Sequence, residues 1–175
     1  RQPEVSHGCF SRGSVGGVIG IRGRRILDGP VQPPIEVATI RAVVIAAARD
    51  QGFRWGEVGV RLTDDATIHR VNVDHLGHDY PTDVISFDYG SGQGRIEGEM
   101  IVSAETAERQ AADLRWPVAH ELMLYLVHGT LHIAGLDDQG AADRERMRAA
   151  ERRVLRSLGV ERIATFAADP REERA

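Results

Sequence analysis

The segment VAHELMLYLVHGTLHIA, residues 118–134, is apolar around almost its whole circumference when it is drawn as a helix. A helix that is apolar on all sides is normally buried inside a domain. Pro117 precedes the segment, and proline suits the start of a helix because its φ angle is already helical. The sequence therefore predicts a buried central helix against which the other elements pack.

Shorter patterns on both sides of this segment predict an α+β domain. Helical periodicity is found at 35–49, 64–75, 103–114 and 141–158, and strand patterns at 58–62, 83–88 and 96–103, with a further strand within 15–27. The glycine-rich turn YGSGQGR between the last two strands indicates a hairpin. This order predicts a small mixed β-sheet covered by helices. We predict a flexible extension over 1–30, a folded domain over 31–160 and a polar tail over 161–175.

Composition limits the classes of function that the chain can have. With 175 residues, 42% of them hydrophobic, the chain can bury a core without a metal, so a metal site would be functional. The single cysteine, Cys9, excludes an internal disulfide and a cysteine-based zinc ribbon, and indicates a reducing compartment. We find no apolar run of the ~20 residues that span a bilayer and no signal-like start, which predicts a cytoplasmic protein.

The charge pattern gives no global signature of a nucleic-acid binder, because the net charge is −4. All 22 basic residues are arginine. A GC-rich genome and a selection for bidentate phosphate contacts would both produce that pattern. The last helix is dense in arginine, with Asp143, Glu145 and Glu151 between the basic residues. A solvated face with ion pairs is the main interpretation, and a face toward RNA or the ribosome is the alternative.

The stretch HGTLHIAGLDD, residues 128–138, carries the pattern of a metal site. His128 and His132 lie four apart on one helical face, so both imidazoles can reach a single ion. Gly135 allows the helix to end in a left-handed turn that sends the chain back over this face. Asp138, six residues after His132, can then supply a third ligand. The alternative is a pair of core histidines whose hydrogen bonds are satisfied within the protein.

The spacing resembles the H-x-x-x-H-x-x-G-x-x-H zinc motif of metzincin proteases, with aspartate in place of the last histidine. Those proteases place a catalytic glutamate directly after the first histidine, where this chain has Gly129. Peptide hydrolysis by that route is therefore disfavoured. The missing side chain also predicts room beside the metal for a bulkier substrate or its phosphate.

Three blocks in order, HDYPTDVISF at 78–87, GEMIVS at 98–103 and HGTLHIAGLDD, resemble the YbeY family of single-strand-specific endoribonucleases over roughly residues 35–160. The resemblance implies a zinc-dependent nuclease acting in 16S rRNA 3′-end maturation and ribosome quality control. It implies single-stranded RNA, rRNA and the small ribosomal subunit as partners, with neither DNA nor membrane. The implied ligands are His128, His132 and Asp138, the last of which is histidine in the best-known members.

The resemblance also marks a position for phosphate binding, where many members carry arginine and this chain has Leu76. His75, His78 or Arg95 could take over that role, and an ordinary loop or surface role is the alternative for each. Thr82 and Ser86 either line the metal cleft or satisfy backbone groups at the strand edge.

Two acidic residues are candidates for supporting roles around the metal. Asp137 would be a turn residue or an indirect support of the ligands. Glu121 lies seven residues before His128 on the same helical face, where it could hold a ligand imidazole by its free N–H.

Two other classes of function stay open beside the nuclease. One is a ribosome-assembly or RNA-binding factor whose metal site is structural or vestigial. The other is a metal-dependent hydrolase of peptides or amides. For the nuclease itself, both a water and the 2′-OH of the RNA are candidates for the attacking group.

Overall fold

The computed structural model describes residues 19–22, 34–77, 79–80 and 82–161. Within these residues the chain forms four strands and five helices in an α+β arrangement, as predicted. In order they are β1 (Ile19–Arg22), α1 (Val37–Asp50), β2 (Trp55–Thr63), α2 (Asp65–Leu76), β3 (Val84–Asp88), β4 (Arg95–Ser103), α3 (Ala104–Leu114), α4 (Val118–Ile133) and α5 (Ala141–Ser157).

The strands form one mixed sheet in the order β1-β2-β4-β3. The pairs β1–β2 and β2–β4 are parallel, whereas β3 and β4 form the predicted antiparallel hairpin, with Val84 opposite Val102. β1 lies within the range 15–27 in which a strand was predicted, so these four residues of the predicted extension belong to the sheet. The rest of 1–30, and the predicted tail beyond Glu161, lie outside the described residues.

The two faces of the sheet are covered differently because side chains alternate along each strand. Val58, Val60 and Leu62 of β2 are buried in the main core together with Ile96 and Met100 of β4. This face packs against α4 and the helices around it. Ile85 of β3 is buried on the other side, where α2 packs against β3 and β4.

α4 is the central helix, as its sequence predicts. It packs against α1, α3, α5, β3 and β4, and most of its residues are buried. Across the described ranges, no helix is both long and apolar enough to cross a membrane.

Side-chain caps fix two of the helix starts. The carboxylate of Asp64 accepts a hydrogen bond from the backbone N of Thr67 at 2.7 Å, which makes Asp64 the cap of α2. Ser103 Oγ accepts from the backbone N of Thr106 at 3.1 Å and so caps α3.

Candidate metal centre

The two histidines of α4 point their rings at the same place. Their ring centres lie 4.4 Å apart with an interplanar angle of 86°. The Nε2 atoms of His128 and His132 approach to 2.9 Å. The four-residue spacing thus brings both imidazoles to one point, as the sequence predicts.

The chain then returns over these rings. Gly135 has φ +94, a left-handed conformation that costs glycine little, and it directs the loop back toward α4. Asp138 Oδ2 lies 3.8 Å from Nε2 of His128 and 3.8 Å from Nε2 of His132. The three side chains form a cluster that could hold a metal ion. Ligands around one tetrahedral zinc lie about 3.3–3.5 Å apart, which is close to these separations.

The other aspartate of this loop, Asp137, is a turn residue. Its Oδ1 accepts hydrogen bonds from the backbone N atoms of Asp138 at 2.7 Å and Gln139 at 3.3 Å. Arg144 secures the same loop from α5, since its Nη1 donates to the carbonyl of Gln139 at 2.7 Å. The side chain of Asp138 is therefore free to face the histidines while its backbone is held.

Hydrogen bonds on the far side of each ring determine which nitrogen carries the proton. Nδ1 of His128 lies 2.8 Å from Oε1 of Glu151, and Nδ1 of His132 lies 3.0 Å from the carbonyl oxygen of Leu136. A carboxylate and a carbonyl can only accept, so both Nδ1 atoms must donate. In the neutral rings, both Nε2 lone pairs then face each other at 2.9 Å, an arrangement that a cation between them would relieve.

The charges around the pair act in opposite directions on the two rings. Burial disfavours the charged form of His128, but the Glu151 carboxylate outweighs it and raises the pKa of His128. Burial lowers the pKa of His132, and the neighbouring His128 lowers it further. His132 is thus kept neutral, which is the form that binds metal.

Glu151 is the functional residue that sequence reasoning missed, because it was taken as part of a solvated charged face. It is only 4% exposed. Its signal in the sequence is its register: Met147, Glu151 and Leu155 recur every four residues, and Met147 and Leu155 are also buried. A carboxylate within an apolar stripe requires a partner, and the partner is His128.

Glu121 does not take the supporting position that the sequence suggested. Its Oε2 accepts from Nε1 of Trp116 at 2.7 Å, and burial raises the pKa of the Glu121 carboxyl. Seven residues keep Glu121 on the face of His128 but place it about 10 Å away along the helix axis. The prediction is corrected because Glu151 occupies Nδ1 of His128 instead.

The cluster opens into a cleft of about 470 Å³ between the start of β3, α4 and α5. Its described lining includes His128, Asp138, Glu151, Met147, Arg144, Arg148, Tyr80, Thr82, Asp83 and Val84. Thr82 Oγ1 donates to Oδ1 of Asp83 at 3.0 Å, so Thr82 lies at the cleft but is already hydrogen-bonded. Its role toward a substrate stays a prediction.

Gly129 faces protein rather than open space. A Cβ atom at this position would lie 3.0 Å from Ser86 Oγ, 3.0 Å from Val84 Cγ2 and 3.2 Å from Met100 Sδ. The room expected here for a substrate is therefore filled by β3 and β4. Ser86 Oγ is buried with no hydrogen-bond partner among the described residues, and Ser86 is not among the residues that line the cleft. Its role toward a substrate stays a prediction.

The remaining predicted substrate contacts lie elsewhere. Arg95 forms an ion pair with Glu97, and its Cζ lies 5.4 Å from the ring centre of Trp55. Arg95 is the first residue of β4, whereas the cleft lies near Val84, which pairs with Val102 at the other end of that strand. The prediction for Arg95 is thus corrected by the strand register. His78 lies outside the described residues.

Fold and cluster together define a small α+β protein with a candidate divalent-metal centre in an open cleft. Residues 35–159 match the family model described as endoribonuclease YbeY. The chain belongs to this family.

Comparisons with individual relatives support this family membership. The chain is 50% identical over 119 residues to the endoribonuclease YbeY of Rhodopirellula baltica, a match covering 67% of this chain and 61% of that relative. It is 36% identical over 128 residues to the protein of the same name from Phocaeicola vulgatus, covering 73% and 92% of the two chains. A solution structure of a Thermotoga maritima protein matches the fold with a TM-score of 0.50 at 21% identity, covering 86% of this chain and 99% of that one.

Proposed function

We propose that this protein is a metal-dependent endoribonuclease that cleaves single-stranded RNA in the cytoplasm. Its role would be the maturation of the 3′ end of 16S rRNA and ribosome quality control, with the small ribosomal subunit as partner. The observation that carries the proposal is the convergence of two imidazole Nε2 atoms and one carboxylate at the wall of an open cleft. Membership of an endoribonuclease family supports the choice of RNA as substrate.

His128, His132 and Asp138 would hold one divalent cation, most consistent with zinc, which accepts two imidazoles and a carboxylate. The ion would supply Lewis acidity toward a phosphoryl oxygen and would acidify a nearby water. Because Asp138 is anionic, this centre would be less positive by one charge than a centre with three histidines, which favours harder ions.

The chain's own residues orient these ligands and shape the site. Glu151 and the carbonyl of Leu136 fix the protonated nitrogens of the two rings, and Arg144 holds the loop that carries Asp138. Position 129 carries no side chain that could act as a base, and Gly129 is packed against β3. The absence of a base at position 129 disfavours the peptide-hydrolase alternative.

The test is cleavage of a short single-stranded RNA by the purified protein, with a double-stranded RNA of the same sequence as the comparison substrate. We expect cleavage of the single strand that a chelator abolishes and zinc restores. His132→Ala should be inactive, whereas the control His69→Ala, which changes a half-exposed histidine of α2, should retain activity. Cleavage that survives both chelation and His132→Ala would refute the proposal.

The products of the same reaction identify the attacking group. Attack by the 2′-OH leaves a 2′,3′-cyclic phosphate and a 5′-hydroxyl, whereas attack by water leaves a phosphate on one end and no cyclic product. Mass spectrometry of the fragments distinguishes the two. Ribosome binding without any cleavage would instead support the assembly-factor alternative.

A further inference from the structure

A second cavity lies beside the metal cleft along α5. This cavity has a volume of about 260 Å³ and is lined by Ala141, Arg144, Glu145, Arg148 and Arg152. Arg144 and Arg148 line both cavities, so the two are adjacent, and we refer to them together as the groove along α5, which includes His128 and Asp138 at the metal cleft.

Three arginines form a stripe along this groove. Arg144, Arg148 and Arg152 are spaced four residues apart and therefore lie on one side of α5. The guanidinium of Arg144 is bound to the carbonyl of Gln139. Arg148 and Arg152 are half-buried, and within the described residues neither forms an ion pair with a carboxylate.

Several other arginines in the described ranges form ion pairs with carboxylates. Arg153 pairs with Asp50, Arg146 with Asp143 and Arg109 with Asp65. Glu145 is the one acidic residue that lines the second cavity. Two neighbouring guanidinium groups without counter-ions repel each other, and a polyanion lying in the groove would relieve that repulsion.

The spacing of these two cations suits the backbone of a nucleic acid. Residues four apart on a helix are separated by about 6 Å along its axis, which is comparable to the distance between neighbouring phosphates of an extended strand. Guanidinium groups bind phosphate oxygens through paired N–H donors. The groove begins at the candidate metal centre, so a strand lying in it would present its next phosphate to that centre.

We propose that Arg148 and Arg152 bind two successive phosphates of single-stranded RNA beside the scissile bond, and that α5 forms the track of the substrate. This inference rests on the proposed function for the choice of RNA. It assigns binding, not chemistry, to the two arginines.

The test compares Arg148→Ala/Arg152→Ala with the matched control Arg41→Ala/Arg146→Ala, which removes the same charge from exposed positions. Binding of a fluorescent single-stranded RNA is measured by anisotropy over a series of salt concentrations, with a chelator present to prevent cleavage. Each lost phosphate contact lowers the slope of log K against log salt by about 0.7, so we expect a decrease of about 1.4 for the test variant. The control should keep the wild-type slope.

Cleavage kinetics of the metal-loaded protein give a second readout. We expect KM to rise about tenfold in the test variant while kcat stays close to wild type, as for lost phosphate contacts. If Arg148→Ala/Arg152→Ala kept the wild-type affinity and salt slope, the proposal that these arginines bind the RNA would be overturned. Failure of the wild type to cleave RNA would refute the proposed function instead. The salt dependence of binding would still show whether Arg148 and Arg152 contact the RNA.

Discussion

Hydrogen bonds from residues other than the three candidate ligands constrain the ring nitrogens of His128 and His132. The carboxylate of Glu151 and the carbonyl of Leu136 each accept from an Nδ1 atom, which in the neutral rings leaves the two Nε2 atoms without protons. Such outer partners fix the tautomer and the orientation of a ligand ring, and they raise its basicity. The geometry of the cluster therefore depends on α5 as much as on the helix that carries the histidines.

Removing the Glu151 carboxylate should weaken metal binding without removing a ligand. We expect Glu151→Ala to raise the dissociation constant for zinc by about 10- to 100-fold. Glu151→Gln should have a smaller effect, because its amide oxygen can still accept from Nδ1. Competition with a zinc-binding dye measures both values. Glu145→Ala, an exposed change on the same helix, is the control, and equal affinities for Glu145→Ala and Glu151→Ala would contradict the role of Glu151.

Among the elements, the contact between α4 and β3 depends on a glycine. Alanine at position 129 would favour the helix by about 1 kcal/mol. Its Cβ atom, however, would press on Ser86 Oγ and Val84 Cγ2, each at 3.0 Å. Overpacking in a core typically costs about 1–3 kcal/mol, so the steric cost should outweigh the gain in propensity.

We therefore expect Gly129→Ala to lower the free energy of unfolding by up to about 2 kcal/mol. Ser86→Ala should be neutral or stabilising, because it removes a buried hydroxyl that has no partner among the described residues. Urea unfolding of both single variants and the double variant forms a complete cycle. The loss caused by Gly129→Ala should be smaller in the Ser86→Ala background; strictly additive effects would show that the two residues do not press on each other.

A second junction joins the starts of α2 and α3. The carboxylate of Asp65 accepts from Ser103 Oγ at 2.5 Å, Thr106 Oγ1 at 2.6 Å and Arg109 Nη1 at 2.8 Å. Burial alone would raise the pKa of Asp65, but these hydrogen bonds outweigh it and the pKa is lowered. The ionised form is therefore the one that stabilises the folded state.

Asp65→Asn should consequently lower the free energy of unfolding at neutral pH by about 1–3 kcal/mol. Because the folded-state pKa is depressed, the wild type holds this advantage above the unfolded-state pKa of about 3.9 and loses it as the pH falls through the lower folded-state value. Chemical denaturation across this acidic range measures the difference between variant and wild type. The exposed control Asp74→Asn should show little change, and a pH-independent deficit in Asp65→Asn would contradict the mechanism.

For the molecule as a whole, periodicity and motif spacing predicted the fold class, the buried α4, the mixed sheet and the convergence of His128, His132 and Asp138. These features depend on local geometry: four residues separate two positions on a helical face, and Gly135 returns the chain over that face. The three sequence blocks at 78–87, 98–103 and 128–138 predicted the protein family, and the family comparison confirms it.

Features that depend on packing between distant segments could not be predicted in the same way. Arg95 was misplaced because only the register of the hairpin shows that it lies at the far end of β4. The packing of Ser86 against Gly129 could not be predicted because the side of β3 that contacts α4 is set by the tertiary fold. Glu151 was missed because its partner, His128, is 23 residues away in the sequence.

The groove along α5 has the same origin in tertiary packing. The arginine stripe is visible in the sequence, but its position beside the metal cleft depends on how α5 packs beside α4. The structure thereby separates arginines that pair with carboxylates, such as Arg153 and Arg146, from Arg148 and Arg152, whose charge lines the groove.

Metal stoichiometry tests most directly whether the converging Nε2 atoms and the Asp138 carboxylate form a metal centre. Native mass spectrometry of the wild type, after zinc loading and removal of weakly bound metal, should give one zinc per chain. His128→Ala and His132→Ala should retain none, and His69→Ala should retain one. A wild type without tightly bound metal, or equal zinc content in the His128→Ala variant, would contradict the assignment of these three residues as ligands.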